Sequence, residues 1–347
     1  MTIAFPPTAS TGVYVTGPEQ WEMRTTPLPS IGRRDVLVRI RACGVCGTDV
    51  GYLREGGMGS GPLPIGHEAA GVVAAVGADV TGIAPDDHVV VNPMAAPDGT
   101  IGSGSRYGAI ADWIVLHDAE ANRALHRIDP AVPFAVAALN EPMAVAKHLT
   151  NQLGVKAGET AVVFGAGPIG LGTAIWLKLA GLAHVVVVDV VARRLQTALA
   201  VGADAVVDAT TDDVGARLAQ LHGPGTNVVG APRAGTDVYV DAAGHESVIM
   251  AFLDNGKQGA RLGIVGMHHA PVNVDLRRFL AGELRMVASV GYPTEIFQVT
   301  DDLARHWRRF APLVSDEIDV ADVDRALRLT LTPGGADKVV ITFPEHV

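Results

Sequence analysis

The feature that most limits the possible folds is a glycine-rich turn between an apolar strand and a helical segment. The run Thr160–Phe164 is short and apolar, as in a buried strand, and Pro168–Ala180 has a helical pattern. Between them stands Gly-Ala-Gly-Pro-Ile-Gly, whose first glycine permits a tight turn, whose second lets a pyrophosphate approach the backbone, and whose third permits close packing of helix on strand. The helix N-terminus adds amide donors for an anion. The residues predicted to contact a dinucleotide are Gly165, Gly167, Pro168, Ile169 and Gly170.

Strands and helices alternate along the segment that follows. This alternation predicts a parallel sheet with right-handed crossovers, that is, a doubly wound α/β domain. The glycine pattern alone would be weak, because the chain contains 40 glycines, but the strand before it and the helix after it are the context that a nucleotide site needs. Thr226–Ala234 is an irregular segment without an assigned role. Further strands are predicted at His184–Asp189, Ala205–Val207, Asp237–Asp241 and Ala260–Val265, and a helix at Ala192–Val201.

Asp189 ends the next predicted strand, 19 residues after Gly170. A carboxylate at this point can accept both hydroxyls of a ribose and would repel a 2′-phosphate, so NAD is favoured over NADP. Arg193 and Arg194 are close in sequence and could weaken that preference. Arg194 either stacks on the adenine or is a solvated helix charge. The alternative interpretation is a glycine turn in a structural α/β domain, with Asp189 as a helix cap.

The first part of the chain has a different pattern. Short alternating or apolar runs are broken by glycine and proline, which indicates short strands in a partly closed β domain. The tail contains a helical stretch at Asp322–Thr330 and a strand at Lys338–Phe343, and periodicity alone does not decide which domain it joins. The strands predicted in the first part include Val36–Arg41, Gly71–Val76 and His88–Val91.

Length and composition exclude several classes of protein. A chain of 347 residues is longer than one ordinary core supports, so two domains are expected. The net charge of −10 argues against partners such as nucleic acid or an anionic membrane, and no apolar run is long enough for a transmembrane helix. The N-terminus lacks the pattern of a signal peptide. With Cys43 and Cys46 as the only cysteines, a disulfide framework is excluded and a cytoplasmic location is expected.

A second group of residues has the chemistry of a metal site. Gly44–Asp49 has the sequence GVCGTD, and Gly66–Glu68 has the sequence GHE. Zinc accepts thiolate, imidazole and carboxylate ligands, and a catalytic site keeps one position open. Taken singly, each residue has an ordinary explanation, since a lone buried cysteine is usually core and a His-Glu pair usually lies in a loop or on the surface. The candidate donors are Cys46, His67 and Glu68.

These segments resemble those of the zinc-containing medium-chain dehydrogenases. CGVCGTD and PIGHEAAGVVAAVG, followed by VVVNP, EPMAVA, VVFGAGPIGLG and VDAAG, occur in that family's order and spacing, over nearly the whole chain. The Glu141-Pro142 element is similar to that of the polyol branch, such as sorbitol and 2,3-butanediol dehydrogenases, because simple alcohol dehydrogenases carry a cysteine there. The resemblance implies hydride transfer between a secondary alcohol and NAD.

The resemblance also implies a catalytic zinc ion. Cys46 and His67 would bind it, Glu68 would be a ligand or an alternate ligand, and Glu141 would bind directly or through water. Cys43 has no counterpart among the family's ligands and is expected in the core. Zinc favours alkoxide over alcohol, so hydride would leave the carbinol carbon of a zinc-bound alkoxide for the nicotinamide C4.

Two further residues have implied roles beside the zinc. Thr48 would hydrogen-bond the bound alcohol and pass on its proton, and Asp49 would orient His67. Relatives often carry a histidine three residues after this serine or threonine, where the present chain has Gly51. The proton relay must therefore end at Thr48 and water, or use another group. Tyr52 is either a pocket residue or ordinary packing.

The family's architecture implies a fold class and domain limits. Val265 is expected to bind the cofactor. His268 and His269 follow the strand Leu262–Gly266, near where the family holds the nicotinamide carboxamide, and a plain loop role is expected for them. The family usually forms homo-dimers or homo-tetramers by extending the sheet of the nucleotide domain. A GroES-like β catalytic domain would comprise residues 1–152 and 292–347, and a Rossmann NAD-binding domain residues 153–291.

The chain departs from the family in one lobe. Many relatives bind a structural zinc there with four cysteines, but Asn92–Asp112 contains none. With two cysteines in the whole chain, a four-cysteine site is impossible. One catalytic zinc per subunit and no structural zinc are therefore expected.

The sequence is compatible with three functions. The first is a zinc-dependent, NAD-linked dehydrogenase of a secondary alcohol such as a polyol, diol, sugar or cyclitol, whose partner is a small-molecule alcohol or ketone. The second is a zinc-free quinone or alkene reductase of the same superfamily, whose members generally lack the Cys and His-Glu set. The third is a non-catalytic nucleotide-binding protein on this fold.

Overall fold

Residues 7–59, 61–332 and 334–344 are described by the computed structural model. Their contacts divide the chain into two compact units. The first unit contains the segments up to Glu141, 296–307 and from Val314 onward, and the second contains 142–295 and 308–313. The segment directly after Glu141, which the predicted limits assign to the first domain, packs within the second unit. For example, the Trp176 indole donates to the carbonyl of Met143 at 2.9 Å.

The secondary structure follows the chain in this order. The strands are β1 Ala9–Gly17, β2 Gln20–Pro27, β3 Val36–Gly44, β4 Leu63–Pro64, β5 Glu68–Val76, β6 His88–Val91, β7 Trp113–Leu116, β8 Leu125–Arg127, β9 Thr160–Phe164, β10 His184–Asp189, β11 Ala205–Asp208, β12 Pro224–Thr226, β13 Pro232–Ala234, β14 Val238–Asp241, β15 Arg261–Ile264, β16 Arg285–Ala288, β17 Asp316–Asp319 and β18 Val339–Thr342. The helices are α1 Gly47–Glu55, α2 Phe134–Ala137, α3 Asn140–Leu153, α4 Pro168–Leu179, α5 Ala192–Ala200, α6 Val214–His222, α7 Glu246–Asn255, α8 Leu276–Ala281, α9 Gln298–Phe310 and α10 Val323–Leu331.

The first unit is built on two β-sheets. A seven-stranded sheet has the order β17-β18-β3-β5-β6-β8, with β7 also paired to β3, and a three-stranded sheet has the order β2-β1-β4. The tail strand β18 runs antiparallel to β3, so the C-terminal segment belongs to this sheet. Small and β-branched side chains suit the crowded interior, and β3 is buried along most of its length.

The pairing of β3 with β5 positions the candidate metal donors. These strands are antiparallel, with Cys43 opposite Ala69 and Gly44 opposite Glu68. Cys46 follows the end of β3 and His67 precedes the start of β5, so antiparallel pairing brings the two segments together. Both strands extend three residues beyond their predicted ends, toward this point, because Ala42–Gly44 pair with Glu68–Ala70 and continue the ladder.

The second unit contains a six-stranded parallel sheet. Its order is β11-β10-β9-β14-β15-β16, which is the doubly wound arrangement predicted for this part of the chain. The strand order reverses between β9 and β14, and ligands of such sheets bind at this point, outside the carboxyl ends of the strands. The irregular segment Thr226–Ala234 contributes to an antiparallel hairpin of β12 and β13. Within the described residues, no helix is long and apolar enough to cross a membrane.

Candidate metal centre and nucleotide site

Three donor side chains of the first unit converge. The ligand atoms of Cys46, His67 and Glu68 all lie within 4.8 Å of one another. His67 and Glu68 are buried, and Cys46 is partly exposed. A thiolate, an imidazole and a carboxylate at this spacing match the donors that zinc accepts, and the exposed side leaves room for a fourth ligand.

Asp49 joins the two segments that carry these donors. It lies in the first turn of α1 and is fully buried. Its Oδ2 accepts a hydrogen bond from the backbone N–H of Cys46 at 2.9 Å, and its Oδ1 accepts one from the N–H of Gly66 at 3.0 Å. The same Oδ1 lies 3.5 Å from His67 Nδ1, which leaves Nε2 of that ring as the candidate ligand atom.

The electrostatics of this pair favour a bound cation. Burial raises the pKa of Asp49, but the charge of His67 and the hydrogen bonds from His67, Cys46 and Gly66 lower it, so its net pKa lies below the usual range. Burial lowers the pKa of His67, but Asp49 and Cys46 raise it well above its usual value. An imidazole that attracts a proton so strongly also attracts zinc, with which the proton competes. The Glu68 Oε2 atom is buried and makes an ion pair with Lys338 but no hydrogen bond of good geometry, so this oxygen can still accept a metal ion.

Lys338 is the residue of this site that sequence reasoning missed. It is 3% exposed, its Nζ forms an ion pair with Glu68 Oε2, and it donates to the carbonyl of Val45 at 3.1 Å. Burial lowers the pKa of Lys338, but the negative charges of Glu68, Cys46 and Glu141 raise it above its usual value. The lysine is therefore an ammonium ion that offsets the carboxylate beside it. The available signal was a charged residue at the start of the apolar run Lys338–Phe343.

Gly44 provides the space in which the Glu68 carboxylate lies. A Cβ atom at Gly44 would overlap Glu68 Oε2 and would lie 3.0 Å from Lys338 Cε. The Glu68–Lys338 pair therefore packs directly on the backbone of β3, where a larger residue would displace it.

The remaining predicted residues of this site lie around the three donors. Thr48 Oγ1 is 3.7 Å from Cys46 Sγ. Glu141 is buried at the start of α3, and its charge acts on Lys338. It does not belong to the group of donors within 4.8 Å of one another that the described residues form. Cys43 is buried in the hydrophobic core, and burial raises the pKa of its thiol well above the usual value, which suits core packing.

The lobe without cysteines packs on the ligand segment through its backbone. A Cβ atom at Gly102 would overlap the backbone of Gly66, and one at Gly108 would overlap that of Ile65. Ile101 is buried in the same core. Hydrogen bonds and apolar packing thus hold this lobe, without cysteine ligands.

The glycine turn of the second unit has the geometry of a dinucleotide-binding loop. Gly165 has a φ of 96°, in the left-handed region that favours glycine. A Cβ atom at Gly170 would overlap the carbonyl of Gly165, whereas one at Gly167 would meet no atom within 4 Å. Pro168 and Ile169 begin α4, whose N-terminus faces this turn. Open space at the second glycine is what a pyrophosphate needs to approach the backbone.

Asp189 is anchored beside this turn at the end of β10. Its Oδ2 accepts from the N–H of Ala166 at 2.6 Å, and its Oδ1 accepts from the N–H groups of Val190 and Val191, both at 2.8 Å. These three bonds use most of the carboxylate's acceptor capacity and fix its orientation. Val191 is the residue at the N-cap of α5, so Asp189 is not the cap of that helix. Arg194 is half-exposed on α5, and Val265 follows β15 directly.

The sequence matches two known domain families. The alcohol dehydrogenase GroES-like domain matches residues 32–124, and the zinc-binding dehydrogenase domain matches residues 168–305. Sorbitol dehydrogenase of Arabidopsis thaliana is 31% identical over 284 residues, which cover 76% of this chain and 76% of the relative. The chain belongs to the zinc-containing medium-chain dehydrogenases. The predicted family, fold class and enzyme class are thereby confirmed.

Two further comparisons place it within this dehydrogenase family. The (R,R)-butanediol dehydrogenase of Neisseria gonorrhoeae (strain ATCC 700825 / FA 1090) is 31% identical over 292 residues, which cover 77% of this chain and 80% of the relative. A solved structure from Sinorhizobium meliloti 1021, described as a zinc-binding dehydrogenase bound to NADP, has a TM-score of 0.83 and 25% identity and covers 97% of this chain and 100% of its own. The family resemblance thus spans both units.

Proposed function

We propose that this dehydrogenase oxidises a secondary alcohol of the polyol, diol, sugar or cyclitol class with NAD, and reduces the corresponding ketone in reverse. The observation that carries the proposal is the convergence of Cys46, His67 and Glu68, with the Thr48 hydroxyl 3.7 Å from the thiol sulfur. The named relatives that are sorbitol and butanediol dehydrogenases support this substrate class.

Each residue of the site has a separate task in this reaction. Cys46, His67 and Glu68 would hold zinc, and Asp49 orients the imidazole through Nδ1. When bound, zinc supplies Lewis-acid polarisation of the substrate oxygen, which makes loss of the alcohol proton easier. Thr48 Oγ1 would accept the hydrogen bond of the alcohol and release its own hydroxyl proton to water as it takes up the alcohol proton, since a hydroxyl can accept one hydrogen bond while it donates another.

Glu141 and Lys338 would adjust the charge of the site. Glu141 is proposed to contact the metal through water, since its carboxylate stands apart from the group of three donors. Lys338 compensates the carboxylate of Glu68 when that group is not bound to the metal. Cys46, a further negative neighbour of Lys338, contributes to the same balance.

We further propose one catalytic zinc per subunit and no structural zinc. The chain has two cysteines, one of them in the core, so the four thiolates of a structural site are not available. Packing of the Gly102 and Gly108 backbones against the ligand segment supports a lobe that is stable without metal.

NAD is the proposed cofactor in preference to NADP. The anchored Asp189 carboxylate presents negative charge at the end of β10, where it can accept from a ribose hydroxyl and would repel a 2′-phosphate. Arg193 and Arg194 lie on the following helix, and the Sinorhizobium meliloti dehydrogenase structure is bound to NADP, so kcat/KM with each dinucleotide tests this preference. A homo-dimer or homo-tetramer in the cytoplasm is proposed by analogy with the family.

The decisive experiment is a screen of polyols, diols, sugars and cyclitols for reduction of NAD and NADP, with metal content determined on the same sample. We expect zinc close to one equivalent per chain, turnover with at least one compound of these classes, and a higher kcat/KM with NAD. Replacement of Cys46 by Ser should remove both zinc and turnover, because a hydroxyl is a poorer ligand than a thiolate.

Other outcomes would identify a different function. Metal-free protein that reduces quinones or activated alkenes would indicate a zinc-free reductase. Nucleotide binding without turnover on any substrate would indicate a non-catalytic protein. A zinc content near two per chain would contradict the absence of a structural site.

A further inference from the structure

A buried acid and a histidine connect two loops at the carboxyl edge of the parallel sheet. Asp241 is the last residue of β14 and has no solvent-exposed surface. His268 lies in the loop after β15, with its side chain 18% exposed. The distance between His268 Nε2 and Asp241 Oδ2 is 2.7 Å. Since a carboxylate accepts, Nε2 of this histidine carries the proton of the hydrogen bond.

The other contacts of Asp241 hold the turn after β14. Its Oδ1 accepts from the backbone N–H of Ala243 at 3.0 Å and from that of Gly244 at 2.8 Å. Its carbonyl accepts from the N–H groups of Val265 and Gly266 at 3.0 and 2.9 Å. One residue therefore fixes its own turn and, through backbone and side chain, the loop that follows β15.

The two loops are also packed without space between them. A Cβ atom at Gly244 would overlap the carbonyl of Met267, and one at Gly266 would overlap the N–H of Gly244. On its other side the turn after β14 contacts the nucleotide loop, since a Cβ atom at Gly165 would lie 3.0 Å from the N of Ala243. A shift of either loop must move the other.

The position of these loops in the sheet indicates which half of the cofactor they serve. In a doubly wound sheet a dinucleotide lies across the point where the strand order reverses, with one mononucleotide on each side. The reversal falls between β9 and β14, and Asp189 marks the adenosine side at the end of β10. Asp241 and His268 follow β14 and β15, on the opposite side.

We infer that the His268–Asp241 hydrogen bond positions the backbone that receives the nicotinamide half of NAD, so His268 is a positioning residue for cofactor binding. The inference rests on the proposed use of NAD. Loss of the histidine leaves Oδ2 of a fully buried carboxylate without its partner, and such a group forces its surroundings to rearrange. The rearrangement reaches the turn at Ala243 and Gly244, because the same carboxylate holds it.

The test compares NADH with ADP-ribose, which lacks the nicotinamide, by calorimetric titration of the full-length, zinc-loaded protein. We expect His268→Ala to raise the Kd for NADH about tenfold, the loss that goes with one hydrogen bond to a charged group. The Kd for ADP-ribose should stay within about twofold of wild type. His269→Ala, a change at the exposed neighbouring residue, should alter neither value.

Two amide variants test the position of the donor itself. His268→Gln places an N–H donor near the position of Nε2 and should restore the wild-type Kd for NADH, whereas the shorter His268→Asn should not. The Gln and Asn variants also preserve the test if the alanine variant does not fold.

Each alternative result has a distinct meaning. NADH affinity equal to wild type in the Ala and Asn variants overturns the inference. So does an equal loss of NADH and ADP-ribose affinity, which indicates a general structural role. If wild-type protein binds neither nucleotide, the proposed function is wrong, and the inference is rejected with it.

Discussion

Substitution of Gly44 by Ala would move the Glu68 carboxylate without changing its chemical identity, so it tests whether the position of this group matters. The added Cβ atom would overlap Glu68 Oε2 and would also lie 3.1 Å from Glu68 Cδ and 3.0 Å from Lys338 Cε. Normal contact requires separations near 3.5 Å, so the carboxylate must withdraw by about 1 Å or more. Gly44 is not in the left-handed region, and Ala in a strand is favoured over Gly by about 0.5–1 kcal/mol, so the backbone itself accepts the change.

The magnitude of the effect follows from this displacement. A shift of about 1 Å in a catalytic group can lower the rate about a hundredfold. Perturbed support of a metal ligand typically lowers metal affinity about ten- to a hundredfold. We therefore expect Gly44→Ala to lower kcat/KM by about two orders of magnitude and zinc affinity by at least about tenfold, with an unfolding temperature close to wild type.

The assay combines zinc competition with a chromogenic chelator, steady-state kinetics on the best alcohol from the screen, and thermal unfolding. Gly51→Ala is the matched control, because a Cβ atom at Gly51 would meet no atom within 4 Å. The control should retain wild-type zinc affinity. A Gly44→Ala protein that retained both wild-type zinc affinity and wild-type kcat/KM would refute the proposed importance of the Glu68 position.

Three other predictions concern charge and protons. Lys338→Met should destabilise the metal-free protein by about 3–5 kcal/mol and the zinc-loaded protein by less, because zinc can neutralise Glu68. Chemical denaturation of both forms measures these losses of stability. Equal losses in the two forms would contradict the prediction. Burial and the neighbouring His184 lower the pKa of His222 from 6.5 to about 4, so the folded state binds fewer protons than the unfolded state between these values. Stability should therefore be complete above about pH 6.5 and fall by about 1–2 kcal/mol toward pH 4, discounting for solvent screening, and His222→Asn should flatten this profile in urea denaturation. A Cβ atom at Gly51 would meet no atom within 4 Å, and Gly51→His should raise kcat severalfold near pH 7, where a neutral imidazole one turn after Thr48 can accept the proton. An unchanged kcat across the pH range would contradict this prediction.

Local patterns were sufficient to predict the glycine turn beside Asp189 and the three side chains that converge near Cys46. The glycine turn could be predicted because each glycine meets a steric requirement set by residues close to it in sequence. Asp189 could be predicted because it lies at the end of the next strand. Cys46 was identifiable because the segment around it resembles a family motif. The exact ends of β3 and β5 were not, because strand pairing that involves small residues is decided by the partner strand.

Glu141 illustrates the limit of a family resemblance. The resemblance implies a place at the metal, and the structure puts its charge near Lys338, outside the group of three donors that the described residues form. A motif specifies which residue types are present near a site. The separation between their atoms depends on how α3 packs, which the motif does not contain.

By itself, the sequence determined that the chain has a glycine turn at Gly165 between a strand and a helix, and that thiol, imidazole and carboxylate donors lie near Cys46. Both depend on short-range steric and chemical requirements that a few neighbouring residues satisfy. Only the tertiary structure showed that Lys338, 293 residues after Val45, lies beside the three candidate metal donors, and that His268 contacts Asp241. The physical reason is that strand register and loop packing bring together groups distant in sequence, and a buried charge finds its partner only when those strands are paired.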